Sequence, residues 1–205
     1  VVESSKDGFA YENKANTIKT YFPKSLQDFF RVEEGSRYIA FLPEDIEGFS
    51  EAKHVSYTNM YGTIVDAVRY EREDMDYVFY PVRSGIKMEV VLKEEPKSNS
   101  FTYFVQTYAQ VFENRQNGYV LFKSGSTPAA LVYQPLVQYQ TGKEGTKLDI
   151  SSTMDVDGGT GFSIIHLYLD PEMLENADVQ YPIKFDPSFE LYLSLIHISE
   201  PTRQA

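Results

Sequence analysis

The chain has 205 residues, with 19 Lys and Arg against 30 Asp and Glu, a formal net charge of -11, and neither Cys nor Trp. The absence of Cys excludes a disulfide framework, a thiolate zinc site and a Cys nucleophile. The negative charge argues against tracking a nucleic-acid backbone, which needs Lys and Arg to displace counterions. A hydrophobic content of 42% argues against wholesale disorder, and a chain this long can bury roughly 70% of its unfolded surface without a disulfide or metal.

Residues 1–16 (VVESSKDGFAYENKAN) are polar, show no sustained period and read as a linker or the end of a preceding region. No basic n-region followed by an apolar h-region is legible in them. Residues 17–22 are β-branched and aromatic, end at Pro23 and read as a short strand. The run 25–30 is too short for a firm helix. From there the apolar runs are four to eight residues long, rich in Val, Ile, Tyr and Phe, and punctuated by turn residues. That pattern predicts a sandwich or barrel rather than βαβ units. Strands are expected at 37–42, 62–70, 119–123, 129–133, 136–139, 147–151, 162–169 and 179–185.

The best local signal is a hairpin over residues 77–92. One arm is 77–82, the other 86–92, and Arg83-Ser84-Gly85 joins them. A three-residue loop with Gly last suits a type I turn closed by a left-handed residue. In the second arm Ile86, Met88, Val90 and Leu92 alternate with Lys87, Glu89, Val91 and Lys93, which predicts one buried face. Pro81 lacks a ladder donor, so its arm should be locally an edge or bulged. Residues 94–99 read as a polar turn, and 101–108 as the next strand.

One helical turn is expected near 171–176, with Asp170 as N-cap, Pro171 at the first helical position and Glu172 favoured by the helix dipole. No fixed-period repeat and no run of 18 apolar residues occurs, so no membrane span is expected. The fold class is therefore all-β, an antiparallel β-sandwich-like module over 17–192, with 17–70 and 71–192 as candidate sub-domains. The run LSLIHISEPTR (193–203) resembles the translation of a transposase sequencing adapter, codon for codon, so 193–205 are expected not to be native. Recovery of the same frame from untagmented DNA would contradict that expectation.

Few residues suggest chemistry. Asp155-Val-Asp157-Gly-Gly-Thr-Gly161 is the most calcium-like stretch, and Asp155 and Asp157 are the candidate ligands. Position 12 of an EF-hand loop counted from Asp155 is His166, where a bidentate Glu should stand, so a hairpin turn is the simpler expectation. Glu71, Glu73, Asp74 and Asp76 cluster around Arg69 and Arg72, which suits a solvated turn. A glycosidase needs only two placed carboxylates, but 30 acidic residues make such a pair easy to imagine. His54 and His166 are expected to be structural, and His197 lies in the adapter-like tail. No H-E-x-x-H, G-x-S-x-G or Walker pattern occurs. The 16 Tyr and 14 Phe raise carbohydrate binding on exposed rings, with Tyr57 and Tyr61 or Tyr133 and Tyr139 as candidates.

Beyond about Tyr70 the chain resembles a β-rich region of very large secreted bacterial proteins, the wall-associated Rhs (YD-repeat) type and surface proteins with DNRLRE domains. The likeness rests on YVFYPVRSGIKMEVVLKE (77–94), on Pro96 with Asn99-x-Phe101, and on YPIKFDPS (181–188). Met88 departs from the Glu common there, and 124–160 follow no family pattern. The resemblance implies a secreted or cell-surface location and a non-catalytic structural or connector role, with neighbouring domains of the same polypeptide as partners. It supplies no catalytic residue and no cofactor. A carbohydrate-binding module for wall polysaccharide is the alternative expectation, and a glycoside hydrolase fragment the next.

Overall fold

β-Branched and aromatic residues in short runs form strands because they pack well on a pleated surface and alternate between its faces. The computed structural model describes residues 1–115, 118–158 and 161–192. In chain order the described strands are β1 (Val2–Glu3), β2 (Phe9–Glu12), β3 (Lys19–Pro23), β4 (Phe30–Glu34), β5 (Arg37–Pro43), β6 (Lys53–Thr58), β7 (Ile64–Glu71), β8 (Met75–Val82), β9 (Gly85–Leu92) and β10 (Ser100–Thr107). There follow β11 (Val111–Arg115), β12 (Tyr119–Ser124), β13 (Thr127–Tyr133), β14 (Val137–Thr141), β15 (Gly145–Asp149), β16 (Ser152–Gly158), β17 (Phe162–Leu169), helix α1 (Pro171–Leu174), β18 (Val179–Phe185) and β19 (Ser188–Leu191). The fold is all-β, as expected, and every strand pairing is antiparallel. No helix among the described residues is long and apolar enough to cross a membrane.

One sheet runs β1-β2-β3-β4-β5-β10-β17-β16. The other is forked. Its β6, β7 and β8 lead to β9, and the far edge of β9 carries two strands in succession. β18 lies opposite Val90, Val91 and Leu92. β19 lies opposite Gly85, Ile86 and Lys87. These two are one strand interrupted at Asp186-Pro187, and the Met88 N–H bridges the break to the Pro187 carbonyl at 3.0 Å. From the break β18 leads on to β14 and β15, while β19 leads to β13, β12 and β11. Proline has no donor for a central ladder, so a strand has reason to break there.

Aromatic side chains join the two sheets. Phe30 of β4 stacks on Phe79 of β8 at 3.9 Å between centroids, and Phe41 of β5 stacks on Phe189 of β19 at 3.7 Å. Phe101 of β10 meets Phe185 of β18 at 4.8 Å. All of these rings but Phe101 belong to one cluster of buried residues running from Ile18 to Leu191, and half-buried Phe101 packs against it. Strands from both sides of the expected 70/71 division share this core, and β7 hydrogen-bonds directly to β8 across it. The candidate sub-domains 17–70 and 71–192 thus contribute residues to one shared core. Residues 1–16 are likewise not a bare linker. They carry β1 and β2, and β2 pairs with β3. Buried Asn13 fixes that hairpin, donating to the Ile18 carbonyl at 2.8 Å and accepting from the Thr20 N–H at 3.1 Å.

The 77–92 hairpin forms with a different turn. Val82 pairs with Gly85, so the loop is the two residues Arg83-Ser84. Gly85 does not take a positive φ. It is needed for another reason: a Cβ there would stand 2.1 Å from the Phe189 carbonyl oxygen. Pro81 lies beyond the last β7–β8 pair, Val68 with Phe79, so it costs the ladder nothing on that side. The helix is as expected at its start, the Asp170 carboxylate accepting from the Glu172 N–H at 2.9 Å, but ends at Leu174.

Candidate functional site

The alternation in β9 assigns Ile86, Met88, Val90 and Leu92 to the core, and all four are buried. It also assigns Glu89 to solvent, and here the structure corrects it: Glu89 is 0% exposed. Its outer face of the sheet is covered by the turn between β6 and β7, residues 59–63. Asn59 shapes that turn, its side-chain oxygen accepting from the N–H groups of Tyr61 at 3.1 Å and Thr63 at 2.9 Å, with Gly62 at φ +81°.

Glu89 accepts from the Tyr57 hydroxyl at 2.7 Å, the Met60 N–H at 2.8 Å and the Tyr80 hydroxyl at 3.4 Å. Tyr57 stands on β6, three strands from β9. Strands lie about 4.8 Å apart, so in a flat sheet these backbones would be roughly 14 Å apart. The contact requires the sheet to curl strongly. Gln138 of β14 continues the curl, donating to the Met60 carbonyl at 2.7 Å. Inside it Tyr57, Ala67, Val78 and Tyr80 form a second small core. Burial raises the Glu89 pKa, opposed by the bonds from Met60 and Tyr57. Burial and the Glu89 charge push the Tyr57 hydroxyl up.

Beside this network a groove of about 330 Å³ opens at the fork, lined by Tyr61, Lys87, Tyr133, Gln134, Leu136, Asp186, Ser188 and Glu190. The register explains the set. Tyr133 pairs with Ser188, and Ser188 pairs with Lys87, so three strands present side chains to one outer face. Asp186 sits at the break, 4% exposed. It accepts from the Leu136 N–H at 3.0 Å, from Lys87 Nζ at 2.8 Å and from the Tyr61 hydroxyl. Burial, then the Asp186 bond, raises the Tyr61 pKa. Lys87 Nζ also lies 4.7 Å from the Tyr61 ring centroid, a cation–π distance. Asp186 is therefore a saturated anchor that fixes Tyr61 and Lys87. The groups left for a ligand are the Tyr61 and Tyr133 rings, 44% and 37% exposed, and the Ser188 hydroxyl, which has no hydrogen-bond partner among the described residues. Two exposed rings with a few polar groups between them suit a neutral polyhydroxyl ligand such as a sugar.

The sequence candidates are distributed as follows. Of the two expected tyrosine pairs, the structure brings one member of each together: Tyr61 and Tyr133 share the groove, whereas Tyr57 and Tyr139 are buried. Asp155 and Asp157 are exposed on β16, paired with His166 and Ile164, in a strand rather than a loop. Among the described residues no group of three or more His, Asp or Glu is placed to hold a metal ion. Gly159, Thr160 and His197, and the adapter-like 193–205, lie outside the described residues. His54 and His166 stand on different sheets. His54 approaches Asp66 at 3.6 Å and His166 contacts the Thr102 hydroxyl at 3.3 Å. Glu71 pairs with Lys53, Asp76 with Lys93 and Asp74 with Arg72. Sequence reasoning missed Glu89 and Asp186. One signal was legible for Glu89: apolar Val91 follows it on the supposedly polar face. No family model, curated protein or solved structure matches this chain.

Proposed function

We propose that the chain is a non-catalytic structural module of a large secreted, wall-associated bacterial protein, folding as one body that spaces and presents its neighbours. The observation that carries the reading is the aromatic core joining both sheets through Phe30–Phe79 and Phe41–Phe189. A spacer must transmit position, and a close-packed interior does so because it resists deformation. The resemblance of 77–94 and 181–188 to surface-protein regions supports the location. The test is trypsin treatment of intact cells that carry the gene, read with antiserum against this chain. Loss of signal from intact cells is expected; full protection until lysis would contradict the location.

A second reading is favoured by the Tyr61–Tyr133 groove, namely binding of wall polysaccharide. Titration with purified wall polysaccharide fragments should show saturable binding that the double change Tyr61→Ala and Tyr133→Ala weakens about tenfold or more. Equal binding by the double variant would remove this reading.

A further inference from the structure

A second cavity, about 760 Å³, opens at one end of the sandwich, away from the groove. Seven carboxylates and two cationic side chains line it. Arg72 is already neutralised, held by Asp45 at 2.7 and 2.8 Å and by Asp74, and stacked 4.4 Å from the Phe49 ring. Glu44, Glu47, Glu73, Glu94 and Glu95 form a rim with no ion pair among the described residues, facing only Lys97. Such a rim concentrates cations through its field.

Acidic residues alone do not make a site; the floor adds an independent observation. Tyr77 lines the cavity, is 1% exposed and stacks on Phe49 at 4.8 Å. Its hydroxyl has no hydrogen-bond partner among the described residues. Unlike the unpartnered hydroxyls of Tyr103 and Tyr181, which are sealed from solvent, this one opens onto the cavity, where a donor could reach it. Burial and the charge of Asp45 raise its pKa, so it stays a neutral hydroxyl there. Beside it Met75, Leu92 and Phe101 supply an apolar strip.

An apolar floor under a spread anionic rim fits a cation with a hydrocarbon stem. A compact metal ion fits less well, because no three of these carboxylates converge on one point. We propose that this cavity binds alkylammonium groups, their methylenes on Met75, Leu92 and Phe101, one ammonium at the Tyr77 hydroxyl and others at the glutamate rim. The chemistry is shared by a free linear polyamine and by a lysine side chain of a peptide.

The test is calorimetric titration of the full chain with spermidine and, separately, with a tetralysine peptide. Binding by either is expected, weakened about fivefold or more between 50 and 300 mM salt as the Debye length shrinks. Tighter binding of spermidine assigns the site to free polyamine, and tighter binding of tetralysine to a lysyl side chain. The double change Glu94→Gln and Glu95→Gln should weaken binding about tenfold. Tyr77→Phe, which keeps the ring packing, should weaken it about threefold to tenfold. No heat with either probe at millimolar concentration would overturn the proposal, as would undiminished binding by the folded Glu94/Glu95 variant or equal competition by calcium at the same ionic strength.

Discussion

At Gly85 the backbone of β19 passes where a side chain would be, and the residue is set by that approach rather than by its own φ. Gly85→Ala should therefore push β19 from β9 and cost about 3 kcal/mol, the upper end of overpacking penalties. A urea midpoint measured at unchanged m-value reads this directly, and a loss below about 0.5 kcal/mol would show that the strand yields freely. Glu89 makes a different prediction. Its pKa is raised above the ordinary 4.5 by burial. An acid raised in the folded state contributes stability that is fully present below its unfolded pKa and lost as pH rises through its folded one. Glu89→Gln removes that dependence, so the variant should gain on the parent as pH climbs above about 4.5. Thermal unfolding at several pH values checks it, and a parent–variant difference constant with pH would refute it. Both residues were visible in the sequence and neither role was. A glycine after Arg-Ser reads as a turn residue, and a glutamate in an alternating strand reads as solvated, because the partner that crowds one and covers the other lies far away in the chain.

Local elements were the most legible. The 77–92 hairpin, the β17 and β18 strands and the Asp170-capped turn are decided by alternation, turn residues and capping within a dozen positions. The fork is not local. It needs β18 and β19 to share one edge of β9, so that Asp186-Pro187 becomes a break rather than a strand end. Phe189 lies just past that break and stacks on Phe41 and packs edge-on to Tyr103. Phe189→Ala should cost about 3–5 kcal/mol, since the cavity forms where both sheets meet. Asp186→Ala should also destabilise, by roughly 3 kcal/mol, because Lys87 and the Leu136 N–H lose a buried acceptor. Urea unfolding distinguishes the two by salt. The Asp186 variant loses an ion pair and should respond less to added salt than the parent, whereas the Phe189 variant should follow the parent.

For the whole molecule, all-β class and a sandwich-like character follow from short β-rich runs, but the way the sheets assemble does not. β5 pairs with β10, and β10 with β17, across separations that no local pattern specifies. Pairing at that range is decided by which faces must be covered, and residues on both sides of residue 70 share one core. The groove was half legible for the same reason: aromatic content announced exposed tyrosines, while only the fork selects Tyr61 and Tyr133 as neighbours. The proposed spacer role requires that both sheets form a single body. That requirement is tested most directly by urea unfolding of the full chain, followed in parallel by far-UV circular dichroism and tyrosine fluorescence. One transition with coincident midpoints is the result expected of a continuous core. Two separated transitions, with the signal of 17–70 lost apart from that of 71–192, would contradict it.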